Sequence, residues 1–319
     1  MANYLITGGA GFIGSNFLNA CVKKYKEDNY ICLDALTYAA NLNSLQTIKS
    51  CDNFKFIHGN ICDKRLVEEI FFSEKIDYVI NFAAESHVDN SIKNPSVFIE
   101  SNVVGTQVLL DASKKYGIKR FHQVSTDEVY GSGEVAAKED AALNPSSPYA
   151  ASKAGADLLV LSYKKTFGLP ITISRSCNNY GKNQHCEKFI PHMIMLAEEN
   201  KPLTVYGDGS NKRNYLHVDD NVRAIDLIVR KGATGEVYNV GSHDRYSNID
   251  VAKKILKLMG KNQDSISFVK DRAGHDYMYT MDDSKIKDQL GFCPEADFND
   301  GLTQTVNWYL SNKNQWFTK

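Results

Sequence analysis

Tyr4-Leu5-Ile6-Thr7-Gly8-Gly9-Ala10-Gly11-Phe12-Ile13-Gly14 joins an apolar run to spaced glycines and then to helical periodicity. Asn3–Thr7 reads as a strand, and a helix opens at about Phe12. In a strand–turn–helix of this form Gly8 allows the tight turn and Gly11 lets the backbone approach a pyrophosphate, while Gly14 lets the helix pack closely on the strand. The N-terminal turn of that helix, with Phe12 and Ile13, adds free N–H groups and a positive dipole end. Asp34 closes the next strand twenty residues beyond Gly14. There its carboxylate can accept hydrogen bonds from an adenosine ribose and repel a 2′-phosphate. A glycine turn alone also occurs in purely structural loops. The flanking strand, the helix and the spaced acid together point to a dinucleotide, NAD in preference to NADP.

Outward from this unit, further strand candidates are Tyr30–Leu33, Phe54–His58, Tyr78–Phe82, Phe121–Val124 and Ile171–Ser174. Amphipathic stretches separate them; in Asp63–Phe72, Leu66, Val67, Ile70 and Phe71 share one helical face. The alternation predicts an α/β protein with a Rossmann-type doubly wound parallel sheet. After about Ser176 the rhythm breaks into segments rich in Asn, Gly and Pro, then resumes with a helix over Asp219–Val229 and a strand over Val237–Val240. Asn248–Leu258, Ile266–Lys270 and Asp283–Leu290 complete a smaller mixed α+β C-terminal substrate subdomain. The expected division is 1–175 for the dinucleotide domain, with 214–242 returning to it, and 176–319 for the interleaved subdomain.

The chain has 319 residues, with 37 Lys+Arg against 38 Asp+Glu, 43% hydrophobic and 24% charged positions. Near-neutral charge offers no footprint for nucleic acid or an anionic membrane. Seven Cys without CxxC spacing read as reduced thiols rather than a disulfide framework or zinc site. No signal-peptide pattern and no apolar run of about 18 residues is present, so a cytoplasmic protein is expected. The scattered histidines show no metal-binding spacing, and no metal is expected.

Two further motifs carry chemistry. Tyr149-Ala150-Ala151-Ser152-Lys153 follows Pro148, a residue favoured in the first turn of a helix, and puts Tyr149 and Lys153 on one face. An ammonium beside a phenol favours phenolate, so Tyr149 could take a hydroxyl proton. Taken alone, such a pair is usually a solvated helix face. Ser125-Thr126-Asp127-Glu128-Val129-Tyr130-Gly131 comes straight off a strand, at the sheet edge where ligands bind. Adjacent carboxyls in one apolar cleft push their pKa values apart, giving one acid and one base. A polar capping loop is the plain alternative; the glycine loop and the Tyr–Lys pair beside it reverse that preference.

At this point the sequence resembles the extended short-chain dehydrogenase/reductase family, and within it the nucleotide-sugar 4,6-dehydratases. The carrying segments are TGGAGFIG, NFAAESHVDNSI, STDEVYG, YAASK, NNYG with EKFIP, YGDGSNKR, VYNVG and RAGHD, spanning Tyr4 to about Tyr309. The resemblance implies a redox-neutral cycle on a nucleoside-diphosphate hexose, dTDP-glucose or a UDP-hexose, with NAD kept as a prosthetic group. Tyr149 would deprotonate the 4-hydroxyl as C4 is oxidised, with Lys153 tuning Tyr149 and holding the nicotinamide ribose. Thr126 would bind the C4 oxygen, Glu128 would take the C5 proton and Asp127 would protonate the departing 6-hydroxyl. It further implies Thr37 near a ribose, Asn60 and Ile61 at the adenine, and Ala83, Ala84 and Glu85 beside the cofactor and sugar. Asn178 would face the nicotinamide or sugar. Lys188, Phe189, Tyr206, Arg213, Asn248, Arg272 and His275 would hold the nucleoside and diphosphate. The match frays at Lys182 to Cys186, at Arg213-Asn214-Tyr215-Leu216, at Tyr277-Met278-Tyr279 and at Asn90, all in segments contacting or flanking the sugar nucleotide.

The helices Pro95–Tyr116 and Pro148–Phe167 carry apolar positions, among them Val97, Val104, Val108, Leu158, Leu159 and Leu161, beyond what one sheet face needs. In the family the matching helices pair into a four-helix bundle, which implies a homodimer. The nearest rival is an NAD-dependent UDP-sugar 4-epimerase, which needs no C5 base. A dinucleotide sensor with a dead site is a further alternative, although both Tyr149 and Lys153 are present.

Overall fold

The computed structural model describes residues 1–271, 274 and 276–316. Its strands are β1 (Asn3–Thr7), β2 (Asn29–Asp34), β3 (Phe54–His58), β4 (Tyr78–Asn81), β5 (Arg120–Thr126), β6 (Ile171–Ser176), β7 (Asn178–Tyr180), β8 (Leu203–Tyr206), β9 (Lys212–His217), β10 (Glu236–Val240), β11 (Arg245–Ser247) and β12 (Ile266–Val269). Seven of them form one parallel sheet in the order β10-β6-β5-β4-β1-β2-β3. From β1 the chain first winds outward to β3, then crosses back to β4 and winds the other way. The carboxyl ends of β1 and β4 therefore face a crevice at the switch point, where open α/β sheets bind ligands.

Period-two alternation assigns neighbouring strand residues to opposite layers. Leu5, Leu33, Val79 and Phe121 point to one layer with Leu109 and Val160. Ile6, Tyr30 and Ile80 point to the other, packed with Phe17, Val222 and Ile225. The helix Phe12–Lys24 supplies Phe17 and the helix Val218–Lys231 supplies Val222 and Ile225. With both faces covered, the strands read as continuous apolar runs, and β6 is buried throughout.

Local signals set the helix ends. Asp63 accepts the Leu66 N–H at the start of Lys64–Glu74. Ser147 accepts the Ala150 N–H before Pro148–Phe167, and Gly168, left-handed at φ 69°, ends it. The rod over 95–116 is less regular than its hydrophobic spacing predicts. Pro95–Phe98 and Gly105–Tyr116 are α-helical, but Ile99–Val104 forms a π-helical turn between them. The widened turn brings buried Asn102 inward, where its Oδ1 accepts the Glu85 N–H at 2.8 Å and its amide donates to the Glu85 carbonyl and to Ser152 Oγ. Val108, counted among the surplus apolar positions of this rod, is in fact core, and Leu159 and Leu161 pack against that core.

Of the segment 214–242, β9 pairs with β7 and β11 in a separate small sheet. The helix Val218–Lys231 and β10 join the large-sheet layers. The second core is built from Ile194, Leu203, Val251, Ile255, Phe298 and Val306, on the helices Phe189–Glu198, Asn248–Leu258 and Phe298–Ser311 and on β8.

Candidate active site

The glycine turn is fixed by contact on both sides. Gly8 sits at φ +67°, and a Cβ there would lie 2.6 Å from the Ala83 backbone nitrogen. A Cβ on Gly14 would lie 2.4 Å from the Gly8 carbonyl oxygen. Both approaches are closer than any side chain tolerates, so backbone alone can occupy this turn. Asp34 clamps it from β2: Oδ2 accepts the Ala10 N–H and Oδ1 the Leu36 N–H, each at 2.8 Å. Burial raises the Asp34 pKa, and these backbone hydrogen bonds oppose the rise. The cradle fits a dinucleotide pyrophosphate, with a carboxylate positioned for a ribose.

A cavity of about 970 Å³ opens from this turn. Gly11, Phe12, Ile13, Thr37, Asn60 and Ile61 line one end, and Ala83, Ala84 and Glu85 follow β4 along its wall. Thr126, Glu128, Tyr149 and Lys153 meet at its middle. Asn178, Lys188, Phe189, Tyr206, Arg213 and Asn248 line the remainder. Residues expected on motif and resemblance are thus gathered from segments far apart in the chain. Asp127 lies buried beside the middle group. Arg272 and His275 lie outside the described residues.

β5 runs on to Thr126, and a 3-10 turn over Asp127–Tyr130 follows. Thr126 Oγ1 accepts the Glu128 N–H and donates to Asp127 Oδ1, both at 3.3 Å. Burial pushes the Asp127 carboxyl up to about 7, the neighbouring Glu128 charge adds to this, and Arg213 opposes it. Near neutrality Asp127 therefore holds a proton it can give away. Phe98 meets the Tyr149 ring edge-on, with centroids 6.4 Å apart.

Tyr149 departs from expectation. Burial first, then the Glu128 and Asp127 charges, drive its phenol well above the ordinary value, while a hydrogen bond with Thr126 pulls the other way. Lys153 donates 2.8 Å to the Val124 carbonyl, and burial lowers its own pKa to about 8. The lysine alone therefore does not create a phenolate. Desolvation and the neighbouring Glu128 carboxylate raise the phenol, and the Lys153 ammonium does not offset them.

Toward the far end, Lys188 Nζ donates to the Ser86 carbonyl at 2.6 Å and the Tyr206 hydroxyl to Asp89 Oδ2 at 3.1 Å. Arg213 is buried; it donates to the Tyr277 carbonyl at 3.1 Å and the Asp276 carbonyl at 2.9 Å, with its guanidinium 4.6 Å over the Tyr279 ring. Sequence reasoning missed Tyr279 as a wall residue, although Tyr277-Met278-Tyr279 stood out as a departure. It also missed Glu187 on the same wall, whose Oε1 accepts the Tyr38 hydroxyl at 3.1 Å. Nothing local signals that pairing, because it spans 149 positions of chain. No cluster able to hold a metal ion occurs among the described residues.

Residues 5–305 match the family model of GDP-mannose 4,6 dehydratase. The chain is 48% identical to the low-salt glycan biosynthesis protein Agl12 of Haloferax volcanii, over 97% of this chain and 98% of that protein. It is 44% identical to an Arabidopsis thaliana protein, the trifunctional UDP-glucose 4,6-dehydratase/UDP-4-keto-6-deoxy-D-glucose 3,5-epimerase/UDP-4-keto-L-rhamnose-reductase RHM3, over 98% of this chain and 48% of that one. Among solved structures it is similar to DesIV, a dTDP-glucose 4,6-dehydratase from Streptomyces venezuelae with NAD and TYD bound. The TM-score is 0.96 at 43% identity, covering 98% of each chain.

Proposed function

The chain belongs to the nucleotide-sugar 4,6-dehydratases of the extended short-chain dehydrogenase/reductase family, and on that premise we propose how its residues work. It is an NAD-dependent hydro-lyase that converts a nucleoside-diphosphate hexose, dTDP-glucose or a UDP-hexose, to the 4-keto-6-deoxy sugar and water. The observation that carries the reading is an acid pair, Asp127 buried and Glu128 lining the cavity, set beside half-buried Tyr149 and buried Lys153 on the same wall, with burial raising the Asp127 carboxyl.

Gly8, Gly11, Phe12, Ile13 and Gly14 receive the pyrophosphate, Asp34 and Thr37 a ribose, and Asn60 and Ile61 the adenine. Ala83 and Ala84 line the path to the nicotinamide, and Lys153 holds its ribose. When bound, NAD would supply reversible two-electron oxidation of the sugar at C4. Tyr149 takes the 4-hydroxyl proton while Thr126 hydrogen-bonds the same oxygen. The resulting ketone acidifies the C5 hydrogen, and Glu128 removes it. Asp127, whose carboxyl burial raises toward neutrality, gives its proton to the 6-hydroxyl so that water leaves; C6 would then receive the hydrogen that left C4 and Glu128 would return a proton to C5, which completes the 4-keto-6-deoxy sugar. Glu85 and Asn178 border the sugar; Lys188, Phe189, Tyr206, Arg213 and Asn248 hold the nucleoside and diphosphate, a set that Arg272 and His275 extend by resemblance. Substrate deuterated at C4 tests the scheme: the product is lighter by one water and carries the label at C6. A product of unchanged mass makes the enzyme a 4-epimerase instead.

We also propose a homodimer built as a four-helix bundle on the rods 95–116 and 148–167. Val97, Ile99, Val104 and Leu158 are 41–56% exposed on these rods, which supports a covered face there. A sedimentation mass of one 35.7 kDa chain at micromolar concentration contradicts it. A reducing cytoplasmic setting suits the seven unpaired cysteines, and no described helix is long and apolar enough to cross a membrane. The NAD-binding unit is taken as 1–175 with the return from Val218, and the sugar-nucleotide unit as the interleaved remainder.

A further inference from the structure

A base that takes a proton from carbon inside a closed cavity must lose and regain it without flooding the site. One line of side chains leads away from Glu128. The Tyr279 hydroxyl lies 3.5 Å from Glu128 Oε2 and donates 2.7 Å to Asp276 Oδ2. The same Asp276 oxygen accepts a close hydrogen bond from Ser146 Oγ. Exposure rises along the line: Tyr279 is 5% exposed, Asp276 is half-buried and Ser146 is exposed. Arg213 fixes the inner end by stacking on the Tyr279 ring and by donating to the backbone carbonyls of Asp276 and Tyr277.

We propose that Tyr279 and Asp276 form a proton relay joining Glu128 to solvent at Ser146, an inference that rests on Glu128 being the C5 base. A phenol both donates and accepts, so it can receive a proton on its oxygen while giving up its own, without ever ionising. Burial and the Glu128 charge hold the Tyr279 pKa far above its ordinary value, in keeping with a hydroxyl that stays neutral. When the C5–H bond breaks, its electron pair remains on the sugar and the proton goes to Glu128. Protonated Glu128 then passes a proton to Tyr279 as Tyr279 passes one to Asp276, and Asp276 releases it to water. The same path run backwards delivers a solvent proton to Glu128 and on to C5. No electron leaves or enters along the relay.

The test is turnover of dTDP-glucose and UDP-glucose in D₂O, reading deuterium at product C5 beside label transfer from C4 to C6. Wild-type product takes up solvent deuterium at C5. Tyr279→Phe and Asp276→Asn each lower C5 deuterium per turnover at least fivefold, with C4-to-C6 transfer retained. Protium kept at C5 by the wild type, or wild-type deuterium in either folded variant, overturns the relay. A merely structural role would slow turnover at an unchanged deuterium fraction, which also overturns it. Asp276→Asn keeps the hydrogen bond from Tyr279 while removing the proton acceptor, so it decides the matter if Tyr279→Phe does not fold. Normal C5 exchange in Glu128→Gln would instead remove Glu128 as the base, a failure distinct from that of the relay.

Discussion

The two ends of the cavity are built on different principles. At the glycine turn the wall is main chain from one strand–helix unit, clamped by Asp34 from the adjacent strand. At the far end it is side chains from β8, β9 and the helices starting at Phe189 and Asn248, held by hydrogen bonds between remote segments. Main chain in this tight turn has little room for change, because a Cβ on Gly8 or Gly14 meets backbone. A side-chain wall can exchange one contact at a time, so substrate preference can drift there while cofactor binding stays fixed.

The largest expected effect lies at the rigid end. Gly14→Val drives methyl groups into the Gly8 carbonyl, and the purified protein should carry no bound NAD and lose at least about a thousandfold in kcat/KM. Absorbance of the released nucleotide and steady-state rates check this; near-normal NAD content would break the contrast between the two ends. Next comes the hinge between them. The folded Asp127 pKa of about 7 lies above the ordinary carboxyl value, so its stabilising contribution is full at acid pH and lost as pH rises through about 7. Asp127→Asn removes that loss. The variant should be the more stable protein by roughly 2–4 kcal/mol near pH 8 and about equal to wild type near pH 4, as thermal melts at the two pH values will show. It should also lose dehydration, since the amide has no acidic proton to give. The smallest effect is at the adaptable end: Tyr206→Phe should raise KM about three- to tenfold with kcat unchanged. A fall in kcat of the same size would place Tyr206 in the chemistry and sharpen the boundary between the regions.

What could be read from the chain follows the same division. The turn from Tyr4 to Gly14, the helix Pro148–Phe167 between Ser147 and Gly168, and the Thr126–Glu128 run after β5 are all local patterns, and their geometry is set within a few residues. The π turn at Ile99–Val104 escapes such a reading, because an extra residue in one turn leaves the apolar spacing on either side intact. Tyr279 and the Tyr38–Glu187 contact escape it for another reason: each depends on segments that meet only once both cores have formed. The Tyr149 environment escapes it as well, because spacing gives its distance from Lys153 but not the carboxyls and the desolvation around both.

That widened turn also makes one rod run in two phases. Forcing the six residues Ile99–Val104 into uniform α geometry with none removed would swing the preceding turn by about 100° against Gly105–Tyr116. Phe98 would leave the Tyr149 ring, and Asn102 would drop the strut it makes to Glu85 and Ser152. The irregularity is thus a phase-shifter, and a chain forced to uniform α geometry there would hold a straighter rod around a misaligned reaction centre.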